Sequence, residues 1–203
     1  MERLAMLGPG DSPWRIRPLT TDDVEALLYV QTMCYGPDFV ESHAIFAQRL
    51  ACPQQCSLGI EHVNRPGLLA YLAAYYSAIG RITPLNGDFE PLDSDAMPVL
   101  YLHDMSVLPE MAGQGFAKHL LHTLFEMAHR QGLQQAALVS VQGSQLFWEK
   151  NGFAAQPVTD EQQQNLCSYG DGAVYMAASI KKRPQPSLQG NPFPLSDRRN
   201  ILS

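Results

Sequence analysis

An α/β fold, built on a mixed sheet flanked by helices, is predicted for this chain by three observations. Strand-like and helix-like segments alternate along it, and the second half runs strand, helix, strand, helix, strand. The unit from Val99 to Val141 needs a crossover between parallel strands. At 203 residues, 45% hydrophobic and 17% charged, the chain has the size and balance of one domain with one core. The expected division is an N-terminal extension over residues 1–13, the domain over 14–180 and an irregular tail over 181–203. Pro184, Pro186, Pro192 and Pro194 interrupt regular structure in that tail.

The elements follow in order. Trp14 to Arg17 alternates apolar and polar, a short strand stopped by Pro18. Thr20 can cap a helix that begins with Asp22 and Asp23 and carries Val24, Leu27, Leu28 and Gln31 on one face. Tyr35-Gly36-Pro37-Asp38 ends it. A second helix starts near Ser42, carries Ile45, Phe46 and Leu50, and stops at Pro53. Two strands, Ser57 to Val63 and Leu68 to Tyr76, are separated by the turn Asn64-Arg65-Pro66-Gly67. Ser77 to Pro98 reads as a long loop, with Asp88, Glu90, Asp93 and Asp95 clustered in it, and is either a mobile flap or a solvated insertion. Val99 to Leu108 carries the strongest strand signal. The helix after it places Phe116, Leu120, Leu121, Leu124, Phe125 and Ala128 on one side and ends at Gly132. Ala136 to Val141 is the next strand, Ser144 caps a short helix through Lys150, and Ala173 to Ile180 closes the domain.

Composition excludes several classes of function. A net charge of -6 and a pI near 5.4 argue against a nucleic-acid binder and are compatible with a cationic substrate. No apolar run approaches the roughly 20 residues that span a bilayer, and Met1 to Gly8 is too weakly apolar for a secretory signal. A soluble cytoplasmic protein without membrane or nucleic-acid partners is therefore expected. Cys34, Cys52, Cys56 and Cys167 form no CxxC pair and have no histidine at ligand spacing. No metal site is expected, and buried free thiols suit a reducing compartment.

Chemistry concentrates between Leu102 and Lys118. A strand runs into a turn that opens a helix. Gly113 and Gly115 let the backbone bend and approach a ligand, and Ala117 keeps the first helical turn unobstructed. Amides at such a helix start form a site for phosphate or pyrophosphate. The turn lacks the third glycine of a dinucleotide fingerprint and the glycine-lysine-serine/threonine ending of a P-loop, which disfavours nucleotide binding.

Val107 to Ala117 resembles the acetyl-CoA motif of the GNAT acetyltransferases, Arg/Gln-x-x-Gly-x-Gly/Ala. Gly115 and Ala117 match its last two fixed positions, and Ala112 replaces the usual Arg or Gln. Phe147-Trp148-Glu149-Lys150-Asn151-Gly152-Phe153 resembles the family's Leu-Tyr-Glu-Lys-x-Gly-Phe, so the resemblance covers about residues 14 to 180. In motif it is closest to small-molecule amine acetyltransferases. The resemblance implies a GNAT-like, mostly antiparallel central sheet, acetyl-CoA as cosubstrate, no metal, and an amine acceptor on a small molecule or peptide. It implies that Met105, Ser106 and Val107 lie along the pantetheine arm. It places Ala112, Gly113, Gln114, Gly115, Phe116, Ala117 and Lys118 around the pyrophosphate, and Ser144, Phe147 and Trp148 beside the cofactor. A homodimer is an admissible assembly, although no segment carries a signature of one.

Amine acylation needs a neutral nucleophile, and only roughly one lysine-like amine in two thousand is neutral at pH 7. His103 is the first candidate for the base. Strand alternation puts Tyr101, His103, Met105 and Val107 on one face and Asp104 on the other, where a structural role is expected, unless a bulge re-aims them. Arylalkylamine-type relatives resemble this chain in having a histidine at the matching position. Trp148 stands where many members have a tyrosine acid, and an indole cannot supply a proton, which leaves Tyr101 and Tyr175 as alternative acids. The competing reading is a non-catalytic acyl-CoA-binding or regulatory module, motivated by Ala112 and Trp148.

Overall fold

The computed structural model describes residues 13–36, 40–88, 90, 92 and 97–181. The expected extension and tail lie outside these apart from Pro13 and Lys181, as do Asp93 and Asp95 of the long loop. Seven strands, β1 (Trp14–Pro18), β2 (Leu58–His62), β3 (Leu68–Ser77), β4 (Val99–Val107), β5 (Gln135–Ser140), β6 (Ala154–Ala155) and β7 (Val174–Ser179), form one sheet in the order β1-β2-β3-β4-β5-β7-β6. Every pairing is antiparallel except β4–β5. The helices are α1 (Val24–Tyr35), α2 (His43–Ala51), α3 (Phe116–Arg130), α4 (Gln145–Lys150) and α5 (Asp160–Cys167).

Local chemistry accounts for most element boundaries. The Thr20 amide donates to the Asp23 carboxylate at 2.9 Å ahead of α1, and Ser42 Oγ accepts from the Ile45 amide at the start of α2. The α3 helix buries Phe116, Leu120, Leu121, Leu124, Phe125 and Ala128, the stripe expected from the sequence. Phe125 meets Phe153 edge to face, and Trp14 meets Phe116 in the same way. Each such ring, fully withdrawn from water, contributes about 1.5–3 kcal/mol. Central β3 is buried along nearly its whole length, so its residues do not alternate.

Several expectations change. Ser144 sits at the N-cap of α4, but its hydroxyl bonds Ser140 Oγ at 3.1 Å instead of capping. The cysteines are free, yet Cys34, Cys52 and Cys56 are half-buried and Cys167 is exposed, because none sits at a fully inward position. Two elements were not expected, β6 and α5, and α5 accounts for the long loop. Gln162 accepts from the Ile82 amide, Asn165 donates to the Ile82 carbonyl, Ser168 accepts from the Leu85 amide and Tyr169 donates to the Thr83 carbonyl. Residues 80–86 are thereby strapped to α5 and β7 rather than forming a free flap. Among the described residues, no helix is long and apolar enough to cross a membrane.

Candidate active site

The site begins where two strands part. Parallel pairing of β4 with β5 covers only Leu100 to Leu102 against Ala136 to Leu138, and β4 then continues to Val107 unpaired on that edge. The gap is a cleft of about 190 Å³, lined by Leu102, His103, Asp104 and Met105 from β4, Val139 and Val141 from β5, Tyr35 from α1, and Ser144, Phe147 and Trp148 at α4. A recess of about 40 Å³ shares Tyr35, His103, Asp104 and Val139 with it and extends toward Glu41, Leu85 and Tyr169.

A bulge sets the side chains in the cleft. On β3, Ala73 faces Asp104 and Ala74 faces Leu102, so His103 has no cross-strand partner. Directly opposed residues share a face, so the register puts Tyr101, Asp104 and Ser106 on one face and Leu102, Met105 and Val107 on the other. The expected grouping of Tyr101 and His103 with Met105 and Val107 is therefore corrected, because the extra residue reverses the alternation. His103 and Asp104 both reach residues of the α1–α2 region.

His103 is buried in a charged network. Its Nε2 lies 2.9 Å from Glu41 Oε2 and 2.7 Å from Arg49 Nη1, and it donates to the first or accepts from the second. Glu41 and Arg49 form a two-pronged ion pair at 2.8 Å on each prong. The second Glu41 oxygen also accepts from the Asn86 amide, and Arg49 donates to the Gly87 carbonyl, which ties the loop to the network. Burial opposes ionisation of Glu41, but the His103 charge and the hydrogen bonds from His103 and Arg49 outweigh it. The carboxyl is held well below the usual range. On the other ring edge, Nδ1 faces the Tyr75 hydroxyl at 3.3 Å and the Tyr169 hydroxyl at 3.5 Å.

This network makes stability pH-dependent. A carboxyl depressed by folding adds stability above its unfolded value, near 4.5, and the gain is lost as pH falls through and below that value. The thermal midpoint should decline more steeply with pH below about 4.5 in the wild type than in Glu41→Gln, as melts across pH 3 to 7 would measure.

Asp104 differs from Glu41. Its carboxylate accepts from Gln31 Nε2 at 3.0 Å, Tyr35 Oη at 2.9 Å and the Tyr71 hydroxyl, all neutral donors. Among the described residues no lysine, arginine or histidine forms an ion pair with it. Burial is the largest influence on its pKa, which is raised despite the bond from Tyr71. An unneutralised, more basic carboxylate thus borders both the cleft and the recess.

At the other end of β4, the turn reaches α3 through two glycines with positive φ, +78° at Gly113 and +87° at Gly115. The first bond of the helix runs from the His119 amide to the Gly115 carbonyl at 3.0 Å. The amides of Phe116, Ala117 and Lys118 precede that ladder and point out of the helix start, a fit for an anion such as a pyrophosphate. Ala112 is exposed and presents only a methyl group there. Along the free edge of β4, the carbonyls of Met105 and Val107 accept from Tyr35 Oη at 3.3 Å and Cys34 Sγ at 3.2 Å. The amides of the same two residues face the same edge and remain as its donors.

The other sequence-predicted residues are placed as follows. Phe147 and Trp148 meet edge to face at 5.0 Å, Trp148 packs on Phe153 at 5.4 Å, and both border the cleft beside Ser144. Tyr101 is buried and stacks on Tyr75, and burial pushes its phenol up. It borders neither cavity. Tyr175 lies beyond β5 and accepts from the Gly80 amide at 2.8 Å, in a different hollow with Gln156 and Pro157. His103, Met105, Ser144, Phe147 and Trp148 thus line one cleft; Tyr101 lies behind it with its ring 6.4 Å from that of His103, and Tyr175 lies apart. Glu41, Arg49, Gln31, Tyr71 and Tyr169 belong to the site without having been expected there. Their one signal in sequence is that charged or amide residues occupy positions that helical spacing turns inward, as at Gln31 and Arg49.

The arrangement can hold an extended ligand from the turn to the cleft floor and present a carboxylate at its inner end. Comparison with known proteins agrees with that shape. The profile of the acetyltransferase (GNAT) family matches residues 35–153, more than half of the chain. No curated protein matches it. Among solved structures, the fold is similar to the ribosomal-protein-S18-alanine N-acetyltransferase from Escherichia coli, with 16% identity, 87% of this chain and 99% of that one covered, and a TM-score of 0.59. It is similar to the PaiA N-acetyltransferase from Thermoplasma acidophilum in complex with coenzyme A, at 15% identity, 82% and 98% coverage, and a TM-score of 0.57. It is also similar to the GphF GNAT-like decarboxylase in complex with isobutyryl-CoA, at 17% identity, 82% and 100% coverage, and a TM-score of 0.63. At these identities the structural likeness speaks for the fold, and the profile match carries the assignment: the chain belongs to the GNAT acetyltransferase family.

Proposed function

We propose that this protein transfers an acetyl group from acetyl-CoA to a primary amine of a small molecule or peptide, by direct attack within a ternary complex. The observation that carries this reading is the continuity of the site. Strand β4 runs from the cleft that holds the Asp104 carboxylate, along its unpaired edge at Met105 to Val107, to the turn that opens α3 with the free amides of Phe116 to Lys118. The turn amides hold the pyrophosphate, with Lys118 exposed beside them, and the amides of Met105 and Val107 receive the pantetheine arm. Phe147 and Trp148 wall the acyl end. Holding amine and thioester together supplies a large part of the rate, and a positioned base adds on the order of 10²–10⁴-fold.

We place the proton acceptor at Asp104. His103, the candidate expected from sequence, has its Nε2 committed to Glu41 and Arg49 and its Nδ1 turned to two tyrosines. In this reading it positions the floor of the site. The acceptor ammonium binds the Asp104 carboxylate, passes its proton there, and attacks the thioester carbonyl as the free amine. The thiolate, of a parent acid with pKa about 8.5, leaves without a dedicated acid and takes up the second amine proton as the tetrahedral adduct collapses to the amide, consistent with Trp148 at the position of the usual tyrosine.

A second reading, acyl-CoA binding without amine transfer, is favoured by Ala112 and by the apolar packing of Trp148. One assay separates the two. With acetyl-CoA and a panel of primary amines, free thiol should appear only when an amine is present. Calorimetric binding of CoA with no thiol release from any amine would leave the second reading standing.

A further inference from the structure

Between β5 and α4 the chain reverses through Val141-Gln142-Gly143-Ser144, closed by the Ser144 amide donating to the Val141 carbonyl at 3.0 Å. Both central residues have positive φ, +50° at Gln142 and +73° at Gly143, the pattern of a type I′ turn. Glycine, which lacks a Cβ, and asparagine and aspartate, whose short polar side chains can bond the local backbone, suit the first of these positions, whereas glutamine has neither compensation. Among the described residues, Asn86 is the only other non-glycine with positive φ. Such strain persists where the side chain is put to use.

The location of Gln142 supplies that use. It borders both the cleft and the recess, and among the described residues lining either one it alone is exposed. It is therefore the rim of both. Its carboxamide has no hydrogen-bond partner among the described residues. The recess behind it, about 40 Å³, has room for no more than a few water-sized groups. An acceptor larger than that, with its amine at Asp104, extends past Gln142 on the rim that both cavities share. A primary carboxamide both donates and accepts, which matches an amide group better than a hydrocarbon.

We infer that Gln142 is a specificity-determining residue that hydrogen-bonds an amide adjacent to the reacting amine. The acceptor class is then α-amino amides, including peptide N termini, in preference to plain alkylamines. The inference rests on the acyl-transfer reading above. The test uses the full chain, acetyl-CoA and two acceptors of the same shape, glycinamide and isobutylamine, with kcat/KM measured for each. Comparing the ratio of the two between variants cancels their difference in basicity. In Gln142→Gly the glycinamide-to-isobutylamine ratio should fall about tenfold, the loss of one hydrogen bond at the upper end of its usual worth. The loss should lie in the acceptor KM and not in that for acetyl-CoA. The melting temperature of this variant should be unchanged or higher, since glycine accepts φ of +50°. Gln142→Asn, which keeps a carboxamide and tolerates the turn, should retain part of the ratio. An unchanged ratio in Gln142→Gly, or an equal loss for both acceptors with a raised acetyl-CoA KM, would overturn the assignment while leaving acyl transfer intact. Wild-type protein that binds CoA and acetylates no amine would instead remove the acyl-transfer reading, and this inference with it.

Discussion

Arg49→Ala should melt roughly 6–20 °C below the wild type, the largest loss expected from any single change at the site. The reason is charge accounting in a buried place. Glu41 and Arg49 have side chains only 1% and 4% exposed, and the pair is satisfied on both prongs. Removing the guanidinium leaves the carboxylate with His103 and the Asn86 amide, and strips a donor from the Gly87 carbonyl. Breaking one side of a buried pair typically costs about 3–5 kcal/mol, because the remaining charge has neither water nor a full partner. Replacing both partners, Glu41→Met with Arg49→Met, should recover part of the loss, since no uncompensated charge is then left behind. Urea or thermal unfolding measures both. A loss below about 1 kcal/mol in Arg49→Ala would mean that water reaches the pair in solution.

Asp104→Asn should lower kcat/KM for amine acetylation by about 10²–10⁴-fold, and His103→Gln by less than about tenfold. Asparagine keeps the size of the side chain, and its Oδ1 can accept from Tyr71 and Gln31 while its Nδ2 donates to the Tyr35 hydroxyl oxygen, so folding survives while proton acceptance does not. The pH profile is the sharper readout. A base must be deprotonated to act, and burial has raised the Asp104 pKa, so the acid limb of kcat/KM lies above the ordinary carboxylate value and should vanish in Asp104→Asn. If His103→Gln abolishes activity and Asp104→Asn retains it, the proton acceptor is His103 after all, and the Glu41–Arg49 pair serves to tune it.

The contrast between these two neighbours shows where sequence is informative. Helix α3 was legible because burial on one side imposes a period on its side chains, strands β3 to β5 because burial on both faces makes them nearly continuous apolar runs, and the turn at Gly113 and Gly115 because positive φ selects glycine. The faces of β4 were not legible. A single extra residue at His103 reverses the alternation, and a bulge leaves no side-chain signature of its own. Helix α5 escaped because only Leu166 is buried on it, although Thr159 followed by Asp160 and Glu161 is a helix start in plain view. The network at Glu41, Arg49 and His103 joins residues up to 62 positions apart. No local pattern links them, since each looks like an ordinary polar residue until the fold turns them toward one another.

The central claim, acyl transfer to an amine at the β4–β5 cleft without a covalent enzyme intermediate, is tested most directly by the mass balance of one reaction. The protein is incubated with acetyl-CoA and glycinamide, and free thiol, N-acetylated amine and the mass of the protein are followed together. Thiol and acetylated amine rising in equal amounts, with the protein's mass unchanged and both products suppressed in Asp104→Asn, is the predicted result. Thiol released without acetylated amine, or an acetyl group retained on the protein, would contradict it.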